Sequence, residues 1–114
     1  MKLEALGDAI NARIVNHPGT DDTEIEYAFA SDLMSDVLTI DDHSPMLITG
    51  LSNLQTIRTA EMADIRVIVL ARGKKASEEM IGLARENGIA LLETPWSVFK
   101  TSGILYQNGI KPIF

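Results

Sequence analysis

The alternation of short apolar runs with amphipathic segments over residues 46–109 constrains the fold most strongly. Apolar runs at 46–49, 66–70 and 89–92 have the composition of strands that are buried on both faces. The segments between them repeat apolar side chains at spacings of three and four, which is typical of amphipathic helices. Strands that alternate with helices form parallel sheets with right-handed crossovers. The sequence therefore predicts an α/β fold, with a three-layer-like parallel sheet flanked by helices.

Short polar side chains predict where these helices begin. Ser52 or Asn53 is the expected N-cap of the first helix and Ser77 that of the second, because such side chains accept hydrogen bonds from free backbone N–H groups. Thr94 is the expected N-cap of the third helix, since Pro95 would then occupy the first helical position, which suits its fixed φ.

Residues 1–45 carry a weaker pattern. Apolar spacing and alternation predict a helix over 3–10, strands over 13–15 and 25–29, and a short helix over 33–38, with surface loops at 17–23 and 41–45. Ser31 and Asp32 offer N-cap chemistry to the short helix. The alternative is that Asp32 and Asp36, which fall on one helical face, contact a metal or a ligand.

Composition and charge exclude several classes of protein. The chain has 114 residues, 46% hydrophobic and 23% charged, as expected for one globular domain over 1–114. Its net charge of −6 repels nucleic-acid phosphates and anionic membrane surfaces. The absence of cysteine excludes disulfides and thiol catalysis. Because the acidic N-terminus is unlike a signal peptide and no apolar run approaches the ~20 residues of a membrane helix, we expect a cytoplasmic protein without nucleic-acid or membrane partners.

The expected ligand site lies beyond the carboxyl ends of the strands, where open α/β sheets form a crevice. Each of these strand ends leads into a helix, whose free N–H groups can hold an anion. The candidate residues at these ends are Thr49, Gly50, Ser52, Asn53, Arg72, Gly73 and Thr94. Arg72 stands beside two lysines in an otherwise acidic chain, which favours a phosphate-bearing ligand such as a nucleotide. Alternatively, the glycines only make turns and the lysines are solvated.

Signatures of catalysis are missing from the sequence. Residues 73–76 lack the upstream glycine and the Ser or Thr of a phosphate-binding loop. His17 and His43 stand in separate loops, neither with a second histidine at ligand spacing. The acids at 41–42 beside His43 are more typical of a solvated loop than of a weak, oxygen-rich cation site. No pattern pairs a nucleophile with a base. We therefore expect no catalytic residue, no metal and no cofactor.

Three further features leave alternatives open. Arg58 either points at the crevice or pairs with Glu61 on the helix surface. Trp96 either packs in the core or an interface or serves as a stacking platform. The apolar ending at 110–114 packs either on the domain or on a partner, which makes a homodimer plausible.

The segments 28–37, 47–50, 77–89 and 92–99 together resemble the DRTGG domain family in their order and spacing. This resemblance covers nearly the whole chain. It implies a fold similar to the N-terminal domain of HPr kinase/phosphorylase. It also implies a regulatory role, since domains of this family stand beside the catalytic parts of phosphotransacetylases and CBS-domain pyrophosphatases.

Few residues carry the family pattern directly. Thr49 and Gly50 match its Thr-Gly at a strand end, and Gly73 matches a glycine after the next strand, whereas Arg72 replaces a small residue that is often found there. The name-giving Asp-Arg-Thr-Gly-Gly string is absent, and residues 57–61 are its nearest counterpart. The resemblance to HPr kinase implies no kinase activity, because the phosphate-binding loop of those enzymes lies in a catalytic domain that this chain does not contain.

Two functions follow as hypotheses. The first is a non-catalytic regulatory domain that senses a nucleotide or another phosphate-bearing metabolite. The second is a structural module without a small-molecule ligand, which forms homo-oligomers or docks on a partner enzyme. An enzyme is a third class, and no nucleophile–base pair supports it.

Overall fold

The computed structural model describes residues 1–19, 24–40 and 43–114, so the loops predicted at 17–23 and 41–45 lie partly outside the described residues. The described elements are α1 (Leu3–Ala9), β1 (Arg13–Asn16), β2 (Tyr27–Ala30), α2 (Met34–Val37), β3 (Met46–Thr49), α3 (Leu54–Met62), β4 (Val67–Leu70), α4 (Glu78–Glu86), β5 (Ala90–Glu93), α5 (Val98–Gln107) and β6 (Lys111–Pro112). The predicted strand–helix alternation over 46–109 is confirmed.

The described strands form one sheet in the order β1-β5-β4-β3-β2-β6. Strands β3, β4 and β5 are parallel, as predicted, and β2 and β6 extend the parallel part of the sheet. Strand β1 runs antiparallel to β5 and makes the sheet mixed. The direction of β1 follows from a tertiary contact. The Thr94 hydroxyl after β5 donates a 2.7 Å hydrogen bond to the Ile10 carbonyl after α1, so β1 must start at the carboxyl end of β5 and run back along it.

Helices cover both faces of the sheet, which gives the three layers. Side chains alternate along the central strands, so that Met46 and Ile48 face one core and Leu47 faces the other. Helices α1 and α5 supply Leu6 and Leu105 to the first core, while α2, α3 and α4 close the second. Strands β3, β4 and β5 are fully buried, as their apolar runs predict.

The connections place a crevice between β4 and β5. The chain steps from β2 to β5 through α2, α3 and α4 on one face and then returns to β6 through α5 on the other. A constant crossover hand requires this change of face when the direction reverses. The segments that follow β4 and β5 therefore diverge to opposite faces, which is the topological switch point where α/β sheets bind ligands.

Helix caps agree with prediction in the middle of the chain and differ at two places. Asn53 and Ser77 accept 3.1 Å hydrogen bonds at the starts of α3 and α4. Ser97 caps α5 instead of Thr94, whose hydroxyl donates to the Ile10 carbonyl and accepts from the Trp96 N–H ahead of the helix. Helix α2 begins at Met34 without a side-chain cap, because Ser31 makes a local turn and Asp32 bonds elsewhere.

Candidate ligand-binding site

Asp32 ties the loop after β2 to the end of β3. Its Oδ1 accepts hydrogen bonds from the Gly50 backbone N–H at 2.7 Å and from the Thr49 hydroxyl at 2.9 Å. Both donors are buried, whereas the Asp32 side chain is about half exposed. The hydrogen bond from Gly50 is the main reason that the pKa of Asp32 is lowered, with smaller contributions from Thr49 and Arg72. Asp32 is therefore a fixed negative charge at this edge of the sheet.

Arg72 lies across Gly50 and faces Asp32. Its Nη2 donates to the Gly50 carbonyl at 3.3 Å and stands 3.9 Å from Asp32 Oδ2. A Cβ on Gly50 would lie 2.5 Å from the Arg72 Nε, so a larger residue at this position would displace the Arg72 guanidinium from its present place. The Arg72 side chain is 52% exposed, so its guanidinium can also reach an anion in solvent.

The segments after β4 and β5 are joined by their backbones at the switch point. Arg72 N–H donates to the Trp96 carbonyl at 2.7 Å, and Gly73 N–H donates to the Thr94 carbonyl at 3.0 Å. Arg72 and Gly73 both have positive φ, of 61° and 72°. Glycine adopts this conformation readily, and arginine adopts it here because the two hydrogen bonds fix the turn. These hydrogen bonds use the backbone groups at the base of the crevice, so a ligand would contact the side chains at its rim.

Glu93 is a buried carboxylate at the same edge and is not among the residues predicted from the sequence. Its side chain is 4% exposed and accepts a 2.7 Å hydrogen bond from the Ala76 backbone N–H ahead of α4. The exposed cations Arg13 and Lys75 stand 3.2 and 3.6 Å from its Oε1. An acidic residue that ends an apolar strand was the available signal. The sequence predicts that a ligand anion binds the free N–H groups ahead of α4. The Glu93 carboxylate takes that place at the Ala76 N–H.

The seven predicted residues all lie at the carboxyl edge, but they differ in what they leave free. Thr49 and Thr94 are fully buried, and their hydroxyls bond Asp32 and Ile10. Ser52 donates to the Lys75 carbonyl at 2.6 Å. The polar atoms of these side chains, like the Asn53 cap, thus serve the fold. The groups that remain accessible are Arg72 and the Gly73 turn. Whether any of the seven binds a ligand stays a prediction.

Half of the ten basic residues of the chain gather at this edge. They are Arg13, Arg72, Lys74, Lys75 and Lys100. Asp32 and Glu93 offset part of this charge, as do the acids that begin α4. Lys74 makes no ion pair among the described residues, and Lys100 lies 4.0 Å from the centre of the Trp96 ring. Positive charge is therefore concentrated here in a chain whose net charge is −6.

Other candidates from the sequence lie away from this edge or form no site. Arg58 makes no ion pair with Glu61 within the described ranges and instead lines a shallow groove with Glu79 and Glu86. Among the described residues, no group of three or more His, Asp or Glu side chains is placed to hold a metal ion. None of the helices described is long and apolar enough to cross a membrane.

Comparisons with known proteins define a fold class. No family model and no curated protein matches the chain. Its fold is similar to a crystal structure of the CBS and DRTGG domains of the regulatory region of Clostridium perfringens pyrophosphatase, complexed with the activator diadenosine tetraphosphate. The TM-score is 0.81 at 17% identity, and the alignment covers 95% of this chain and 47% of that one.

This similarity confirms the predicted α/β class and, at the level of fold, the resemblance to DRTGG domains. The chain spans about half of the regulatory region that it matches. The matched region belongs to the regulatory part of that pyrophosphatase.

Proposed function

We propose that the chain is a non-catalytic regulatory domain that senses a nucleotide or another phosphate-bearing metabolite at the carboxyl edge of its sheet. The observation that carries this proposal is the concentration of five basic side chains around the switch point of an acidic chain. Three of these, Arg72, Lys74 and Lys100, do not pair with the buried carboxylate of Glu93. The structural neighbour, complexed with diadenosine tetraphosphate, adds support.

Arg72 is the expected primary contact with the ligand. Its guanidinium presents several N–H donors in the planar arrangement that matches phosphate oxygens. Its present partners hold it weakly, because the Asp32 pair is 3.9 Å long and both side chains are half exposed. A ligand phosphate would therefore compete with Asp32 for Arg72. Removing the Asp32 charge should strengthen ligand binding, whereas removing Arg72 should abolish it.

The test is a thermal-shift screen of the purified protein, followed by calorimetric titration of any hit. The probes are AMP, ADP, ATP, dinucleoside polyphosphates, acetyl phosphate and inorganic phosphate. A ligand at ~100 times its dissociation constant stabilises the folded state by about 2.7 kcal/mol, or a shift of about 10 °C in a domain of this size.

Two variants locate the site. Arg72→Ala should remove the thermal shift, while the matched control Arg85→Ala should keep it, because Arg85 is an exposed arginine in the last turn of α4, at the other end of that helix. A shift that survives Arg72→Ala, or no shift with any probe, would overturn the proposal. Equal stabilisation by every anion, phosphate included, would indicate general charge screening instead of recognition.

The second candidate function is a structural module that forms homo-oligomers or docks on a partner enzyme in the cytoplasm. The observation that favours it is the exposure of large apolar side chains, with Phe99 at 89% and Phe114 at 86%. Trp96 is half-buried and packs against the α1/α5 core, so it contributes to the fold more than to an outer surface.

A further inference from the structure

Helix α5 exposes an unusual stripe for an outer helix. Phe99, Gly103 and Tyr106 follow one another at helical spacing and therefore share one face. Phe99 is 89% exposed and Tyr106 is 69% exposed. Nothing lies within 4 Å of the position that a Cβ on Gly103 would take, so the stripe has a notch between two aromatic rings.

An apolar cleft opens beside the C-terminal half of this stripe. Ser102 and Tyr106 line it from α5, and Ala28, Ala30, Ile48 and the chain from Ile110 to Pro112 form the rest, together with Leu105. Its volume is about 140 Å³. An apolar cavity of ~150 Å³ accepts a benzene molecule, so this cleft has the size for one phenyl ring. The Ser102 hydroxyl at the cleft has no hydrogen-bond partner among the described residues.

We propose that two copies of the chain associate through α5, with Phe99 of each copy inserted in the cleft of the other. In a two-fold symmetric pair, residue i contacts residue j and residue j contacts residue i. Phe99 precedes Gly103 by about 6 Å along the helix and Tyr106 follows it by about 4.5 Å, at 1.5 Å per residue. Antiparallel helices that cross at Gly103 would thus bring Phe99 of one copy to Tyr106 and the cleft of its partner.

The distribution of charge favours this face over the other faces of the molecule for contact with a second copy. Helix α5 contains no acidic residue, whereas each of the other four described helices carries at least one. Residues 94–114 also contain no Asp or Glu. Two molecules that each carry −6 repel one another, and contact through α5 keeps their carboxylates apart. The two lysines here, Lys100 and Lys111, would face uncharged side chains across the symmetric pair.

The adjacent sheet edge does not offer a competing mode of association. Strand β6 has two residues, and the second is Pro112, which has no N–H to donate to an added strand. At this side of the sheet, side-chain contacts of α5 are therefore the available route. A helix of ten residues is about 15 Å long, so the interface is smaller than that of permanent dimers, and the dimer should dissociate on dilution.

Because the chain lacks cysteine, single cysteines test this geometry directly. A residue near a two-fold axis lies beside the same residue of the second copy. Gly103→Cys should therefore form an intermolecular disulfide rapidly under mild oxidation. Gly82→Cys is the matched control, since Gly82 also lies in a helix with no atom near its Cβ position but belongs to α4 on the other face. Sedimentation velocity over a wide concentration range measures the same association without a crosslink.

At high concentration, we expect the sedimentation of the native chain to correspond to twice its mass of 12.5 kDa. Phe99→Ala should raise the dissociation constant of the dimer at least tenfold. Met62→Ala, which truncates an exposed apolar side chain on α3, should have no effect. A native chain that stays monomeric, equal crosslinking at Gly103→Cys and Gly82→Cys, or a Phe99→Ala variant that dimerises normally would each overturn the proposal. None of these outcomes depends on whether the carboxyl edge binds a ligand.

Discussion

Replacement of Asp32 separates what its charge contributes from what its hydrogen bonds contribute. Asp32→Asn keeps an Oδ1 that can accept from both Gly50 N–H and the Thr49 hydroxyl, and it removes only the charge. Asp32→Ala leaves both buried donors without an acceptor. The Ala variant should therefore be the less stable of the two.

The magnitude follows from the two hydrogen bonds and from exposure. Hydrogen bonds to a charged group contribute ~1.5–3 kcal/mol each when they are shielded from water. The Asp32 side chain is 54% exposed, so we expect about 2 kcal/mol in total for Asp32→Ala and about 1 kcal/mol or less for Asp32→Asn. The pair with Arg72 is too long and too exposed to add much.

The pH dependence has a definite sign. The folded-state pKa of Asp32 is lowered, so its charge stabilises the fold fully above the unfolded value of about 3.9 and this contribution is lost as the pH falls through the folded pKa. The stability difference between the native chain and Asp32→Asn should therefore be constant near neutral pH and shrink in acid. Urea unfolding with linear extrapolation measures both quantities.

Asp36→Asn is the control, because it removes the same charge four residues away, from an exposed residue of α2. It should leave stability unchanged. If Asp32→Ala were as stable as Asp32→Asn, or if Asp36→Asn cost as much as either, the hydrogen bonds to Gly50 and Thr49 would not hold this edge as argued.

The remaining predictions concern the same edge and the helices around it. Glu93→Ala should lower the unfolding free energy by about 2 kcal/mol in urea melts, because the Ala76 N–H loses a charged acceptor, and Glu93→Gln should lower it by less. Gly82→Ala should raise the unfolding free energy by about 0.5–1 kcal/mol, since the added methyl meets open space within α4. Gly73→Ala should instead lower it by about 1 kcal/mol, because its φ of 72° is unfavourable for a side chain.

The central strands could be predicted because their signal is local. Strands β3, β4 and β5 are buried on both faces, and an apolar run needs no distant partner to identify it. The direction of β1 could not be predicted, since a strand pattern has the same period in both directions. It depends on the contact between Thr94 and Ile10, which are 84 residues apart.

The sequence predicts the cations at this edge but not the contacts of its carboxylates. Glycine and arginine after a buried strand indicate a crevice, because sheet topology places strand ends together. Asp32 precedes a short helix in sequence, so local chemistry favoured a cap, whereas the backbone N–H of Gly50 provides a stronger partner in space. The donor that a carboxylate will meet at the end of a neighbouring strand is not encoded in its neighbours along the chain.

The sequence pattern of α5 leaves open which face of the helix is buried. That choice determines which side chains remain exposed for association. Both Val98-Thr101-Leu105 and Phe99-Ser102-Tyr106 have helical spacing, and the second set is the richer in large apolar side chains. The fold nevertheless buries Thr101, whose hydroxyl has no hydrogen-bond partner among the described residues, and exposes Phe99 and Tyr106. A buried hydroxyl without a partner costs ~1–3 kcal/mol, and an aromatic side chain left in water forgoes a similar stabilisation. In the isolated molecule this orientation buries Leu105 and partly buries Val98, but it leaves Phe99 in water. A pair of molecules would bury that ring as well, with each Phe99 in the cleft of the other.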